Sequence, residues 1–160
     1  MKPAGGGQAL IPNSDLQVSA NKGVHAGEHA HYLIDDREVK PEGIFRGCKG
    51  NFKSNGKGLE IYITVKSGPI WLSSYGIKSA NDAPGRDPRC WDLVGKNEHG
   101  QERVFHSENG QQTKFPGRWR WWDASVDAPF RAKSFILRIK HNHGDWFCTQ
   151  MGQIRLFKAV

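Results

Sequence analysis

Tyr75-Gly76-Ile77-Lys78-Ser79-Ala80-Asn81-Asp82-Ala83-Pro84-Gly85-Arg86-Asp87-Pro88-Arg89-Cys90-Trp91-Asp92-Leu93-Val94-Gly95 decides the fold. It reads as a strand, a stiff loop and a second strand. Asn81 and Asp82 suit side-chain-to-backbone turns, and Pro84 and Pro88 stiffen the connection. Arg86, between Asp82 and Asp87, can fork onto a carboxylate and so hold the loop in one shape. Trp91 then enters the sheet as a large apolar anchor.

Working outward, Leu59-Glu60-Ile61-Tyr62-Ile63-Thr64-Val65 alternates with period 2 and is β-branched. It predicts a strand with Leu59, Ile61, Ile63 and Val65 facing the core. Further strands are expected at 70–78, 91–95, 103–107, 133–140 and 153–157, with Phe135, Leu137 and Ile139 turned inward. No window of twelve residues carries a helical 3.6 period. The expectation is an all-β chain of two packed antiparallel sheets. Residues 1–28, rich in Gly, Ala, Ser and Asn, read as a flexible N-terminal arm with a short ordered piece at 9–12, and 29–160 as one domain.

Composition narrows the function classes. The 160 residues suit one domain, and 8 Phe, 6 Trp and 3 Tyr supply enough apolar surface for a core, which excludes pervasive disorder. No run approaches the ~18 apolar residues that cross a bilayer. The first residues hold no apolar stretch of signal type, so the cytoplasm is the expected compartment. Cys48, Cys90 and Cys148 cannot all pair within one chain, and no Cys pair stands at zinc-ligand spacing beside His25, His29, His31, His141 or His143. The net charge of +7 favours acidic partners without naming one.

The run "SANDAPGRDPRCWDLVG", followed by Asn97-Glu98-His99-Gly100, resembles the SANDxPxRDPxxWxLxGSNDG pattern of galactose-binding-like domains of the discoidin (F5/8 type C) superfamily. The match extends over about 29–158. His31-Tyr32-Leu33-Ile34-Asp35-Asp36 resembles the entry loop, and Arg118-Trp119 the Arg-aromatic pair before a strand. Phe135-Ile136-Leu137-Arg138-Ile139 and Gln150-Met151-Gly152-Gln153-Ile154-Arg155-Leu156 resemble the last two strands. The resemblance implies a jelly-roll β-sandwich of about eight antiparallel strands, with ligand loops gathered at one end. It also implies that Asn81, Asp82, Arg86, Asp87 and Trp91 shape a loop rather than bind. Sugar-binding members often hold a structural calcium with the entry-loop acid and a Glu in the last strand. Here that Glu position is Gln153 and the entry loop lacks its glycine. A neutral amide removes charge that a hard cation wants, so no cofactor is expected, with Asp36 the remaining acid that could reach a calcium.

Two segments carry candidate ligand-binding residues. Between 114 and 140, seven basic residues stand against Asp123 and Asp127, interleaved with Phe115, Trp119, Trp121, Trp122 and Phe130. In Arg118-Trp119-Arg120-Trp121-Trp122, period-2 geometry sends Trp121 and Trp122 to opposite faces, so at least one indole reaches a surface. An exposed indole beside Arg120 suits stacking on a sugar ring or a base. The loop His141-Asn142-His143-Gly144-Asp145-Trp146-Phe147 sets imidazoles, an amide and a carboxylate beside an indole, the mixture a polyol site uses. The candidate site is therefore Arg120, Trp121, Trp122, His141, His143 and Trp146. A third basic stretch runs from Arg37 to Lys57. No G-x-S-x-G, H-E-x-x-H or phosphate-binding glycine loop occurs, so the expected class is a non-enzyme. A binding module for carbohydrate leads. The alternatives are an intracellular protein-interaction adaptor, or a nucleic-acid or phosphoinositide binder acting through its basic face.

Overall fold

The computed structural model describes residues 1–21, 29–35, 52–55, 58–81, 83–110, 115–145 and 148–160, with the backbone alone for 52–55. Eleven strands lie among them: β1 (Gln8–Leu10), β2 (Leu16–Ala20), β3 (Phe52–Asn55), β4 (Leu59–Val65), β5 (Leu72–Lys78), β6 (Pro88–Lys96), β7 (Glu102–Glu108), β8 (Trp121–Ser125), β9 (Ser134–Asn142), β10 (Cys148–Met151) and β11 (Gln153–Ala159). Eight of these are five residues or longer, the number expected; β1, β3 and β10 are short additions. The only helical pieces among the described residues are short 3-10 turns.

Two antiparallel sheets face each other, in the orders β1-β11-β5-β8 and β2-β4-β9-β6-β7, with a small β10-β3 ribbon at one end. The alternation in β4 is realised as read: Leu59, Ile61, Ile63 and Val65 are buried, and Tyr62 on the other face is exposed. Phe135, Leu137 and Ile139 of β9 meet them from the next strand. The two sheets close on one core as an antiparallel β-sandwich, the class expected.

The flexible arm is corrected. β1 pairs with β11 through Gln8↔Ala159, and β2 pairs with β4 through Leu16↔Val65. Ile11 and Leu16 are buried in the core, so residues 8–20 close the edges of both sheets. The polar residues between Leu16, Val18 and Ala20 face water on an edge strand, which hid the pattern. The basic stretch from Arg37 lies almost wholly outside the described residues.

One aromatic group locks the sheets together. Trp91 of β6 is wholly buried and packs edge-on against Trp122 of β8 at 4.8 Å between centroids. Its indole N–H donates to Tyr75 Oη at 2.7 Å, and the Tyr75 hydroxyl lies 2.7 Å from His106 Nδ1, linking both sheets by one hydrogen-bonded relay. Burial pushes the Tyr75 hydroxyl well above the ordinary tyrosine value. The unfolded chain ionises Tyr75 at about 10 while the folded chain does not. That contribution is complete below pH 10 and drains away above it, by about 1.4 kcal/mol per pH unit. Unfolding measured from pH 9 to 11.5 should show a steeper alkaline loss for the parent than for Tyr75→Phe. Equal slopes would contradict the assignment.

Candidate functional site

At one pole of the sandwich β5 and β9 end while β6 and β8 begin, so the connections 79–87, 115–120 and 143–145 converge there. Ala83 takes a left-handed conformation (φ 30°) that turns the chain into the 3-10 segment Pro84–Arg86. Backbone bonds then knit two connections together: His143 N donates to Asp87 O at 3.1 Å and Asp145 N to Gly85 O at 3.0 Å. The third is tied by Ser79, whose hydroxyl donates to Gly117 O at 2.6 Å and accepts from Arg120 N at 3.0 Å.

Charge finishes the corner. The Arg118 guanidinium forks onto Asp87, with Nη1 2.9 Å from Oδ1 and Nη2 against Oδ2. Asp87 is buried, so the pair works where water screens it little. Arg86 pairs with Asp145 at 3.2 Å, and Asp145 Oδ1 also accepts the Cys148 backbone N–H at 2.9 Å. The fork expected within the SANDAPGRDP run is thus built with partners 31 and 59 residues away.

These loops enclose an open cleft of about 370 Å³, lined by Pro84, Gly85, Asp87, Phe115, Pro116, Gly117, Arg118 and His143. Its lining joins the apolar Phe115, Pro84 and Pro116 to the polar Asp87, Arg118 and His143. His143 Nε2 is buried and has no hydrogen-bond partner among the described residues. A ligand bearing hydroxyls could bond to that nitrogen while resting on Phe115 and Pro116.

The candidate residues divide. His143 lines the cleft, and Arg120 stands at its lip, exposed, its stem alongside Gly117. His141 is exposed on β9, opposite Cys90, and does not line the cleft. Trp122 is set aside as a ligand residue, because its inward indole packs with Trp91, Tyr75 and His106. Trp121 points to the outer face of the four-stranded sheet, where Arg155 lies 4.0 Å over its ring while forking onto Asp123. Gly76 lacks a side chain beneath that pair because a methyl there would collide with the Asp123 carboxylate. Trp146, Asp82 and Asp36 lie outside the described residues; Asn81 is partly buried in the corner loop.

Asp87 was expected to shape the loop rather than bind, yet it also lines the cleft, beside Arg118. Phe115 was read only as one of the aromatics interleaved with the basic residues of 114–140, and Pro116 carried no signal. Gln153 donates through Nε2 to the Asp35 carbonyl at 2.6 Å. That bond needs a donor where a calcium site needs a carboxylate, so the residues present on β11 do not fit a cation. Among the described residues no helix is long and apolar enough to cross a membrane.

No family model matches this sequence, and no curated protein does. Solved structures do match its fold. A family 32 carbohydrate-binding module of Clostridium perfringens NanJ, solved with galactose, superposes with a TM-score of 0.72 at 12% identity, covering 94% of this chain and 99% of that one. The family 32 module of Streptococcus pneumoniae EndoD gives 0.70 at 12% identity, over 94% and 99%. A family 89 glycoside hydrolase of Clostridium perfringens gives 0.68 at 16% identity, covering 94% of this chain but 14% of the hydrolase.

Proposed function

We propose that this jelly roll is a non-catalytic carbohydrate-binding module that grips a neutral sugar in the cleft beside the Asp87–Arg118 corner. The observation that carries the reading is the cleft itself, which is lined by Phe115 and Pro116 together with Arg118 and His143, whose Nε2 has no partner among the described residues. A pyranose has that same division, with C–H groups on one face and hydroxyls around its edge. The likeness to modules solved with galactose supports the choice of ligand class. So does the hydrolase match, which is confined to a small part of that enzyme.

The basic-face alternative has less in its favour. Arg118, Arg138 and Lys140, three of the cations between 114 and 140, are ion-paired with Asp87, Glu60 and Asp92. Lys140 and the Ser107 hydroxyl overcome the upward push of burial on Asp92 and hold its carboxyl below the usual range. Cations engaged this way have fewer contacts to offer phosphates.

Calorimetric titration with galactose tests the proposal. Binding is expected for the parent, with His143→Ala weakening it about tenfold, the worth of one hydrogen bond near the upper end of the usual range. Undiminished affinity in His143→Ala, or salt-dependent binding of an oligonucleotide with no response to sugars, would contradict it.

A further inference from the structure

We propose that the opposite pole of the sandwich carries a second carbohydrate site, one that takes an acidic disaccharide. There β5 and β9 begin while β6 and β8 end, so nothing in this region is shared with the Asp87–Arg118 corner. Two clefts of about 340 and 290 Å³ lie side by side, and Trp71 and Arg131 line both. Trp71 and Arg131 are thus a wall common to both, and the two clefts serve as the two lobes of the proposed site.

That wall is built rather than incidental. Ile70 and Ala132 exchange two backbone bonds of 2.9 Å, which sets their neighbours Trp71 and Arg131 side by side. Ala159 N donates to Trp71 O at 2.8 Å and brings Lys158 alongside. The far rim is fixed by Asn97, whose Oδ1 accepts from His99 N at 3.0 Å and Gln101 N at 2.9 Å. Trp71 Nε1 is buried and has no acceptor among the described residues.

The two lobes differ in charge. In the smaller, Lys158 and Arg131 are the ionisable side chains in the lining, and none of the lining residues is acidic. The larger is lined by Glu98 and His99 together with Pro129, Phe130 and Trp71. A carboxylate is drawn to the first lobe, where the Arg131 guanidinium can donate to it as a fork. A neutral ring suits the second, its apolar face toward the aromatic surface and its hydroxyls donating to Glu98. One carboxylated ring joined to one neutral ring satisfies both lobes.

The test uses the 160-residue chain and heteronuclear NMR titration with a glucuronate-containing disaccharide, against the same disaccharide with its carboxylate reduced to the alcohol. The expected result is shifts at Trp71, Glu98, His99, Arg131 and Lys158, with the reduced sugar bound at least about tenfold more weakly. Arg131→Ala, exposed and so tolerated by the fold, should lose a similar factor with an unchanged unfolding midpoint; Trp71→Phe, which keeps an aromatic ring, should lose less. Equal affinity for the two sugars, unaltered binding by Arg131→Ala, no shifts, or shifts confined to the Asp87–Arg118 pole would each overturn the proposal. Galactose titrated separately reports on the first cleft, so failure at one pole is distinguishable from failure at the other.

Discussion

Trp91→Ala loses about 3–5 kcal/mol of stability, the range for deleting a large buried aromatic side chain. Trp91 is the largest wholly buried side chain among the described residues, and it touches both sheets. Its removal opens a cavity beside Trp122 and leaves the Tyr75 hydroxyl without the indole N–H that now donates to it. The aromatic contacts with Trp122 vanish together with the buried area, and such pairs add to what area alone contributes. Since whole domains are stable by only about 5–15 kcal/mol, the variant should be partly unfolded near physiological temperature. Urea unfolding followed by tryptophan fluorescence would register a large fall in the midpoint. Trp91→Phe keeps most of the volume and should sit clearly above Trp91→Ala; a loss below 1 kcal/mol for the alanine variant would show that the two sheets hold without this lock.

Asp87→Ala has the second largest effect expected, about 3 kcal/mol, because it removes the buried carboxylate onto which the Arg118 guanidinium forks. The figure belongs at the low end for a broken buried pair, since the Arg118 side chain keeps 24% of its surface in water. The loss also reaches the ligand. Asp87 holds Arg118 at the cleft through its carboxylate, which the alanine variant lacks. Asp87→Ala should therefore weaken sugar binding even at temperatures where the variant remains folded. Asp87→Asn keeps the shape and one acceptor oxygen, and should fall between the parent and alanine on both measures. If Asp87→Ala loosens neither the fold nor the ligand, the corner is held by its backbone bonds alone.

The parts of this fold legible in the sequence were those decided locally. β4 and β9 announce themselves because each buries one face of a central strand, so apolar and polar residues alternate cleanly along them. β8 does not: Trp121 faces outward under Arg155 and Trp122 inward against Trp91, and two adjacent indoles mask the period. β1 and β2 were missed because short edge strands need few apolar residues.

The same boundary divides the site. The SANDAPGRDP run reveals a stiff corner, but its charges find partners in Arg118 and Asp145, far along the chain. Only the closed sandwich brings those residues together. His143 was legible as a polar loop residue, whereas Phe115 and Pro116 became a cleft wall through tertiary placement alone.

The central claim is that the corner built on Asp87 and Arg118 grips a neutral sugar. Backbone amide shifts followed while galactose is added to the isotopically labelled chain test it most directly. The account predicts saturable shifts at Gly85, Asp87, Phe115, Gly117, Arg118 and His143, the amides lining the cleft. Silence at those residues throughout the titration, whatever moves elsewhere, would contradict it.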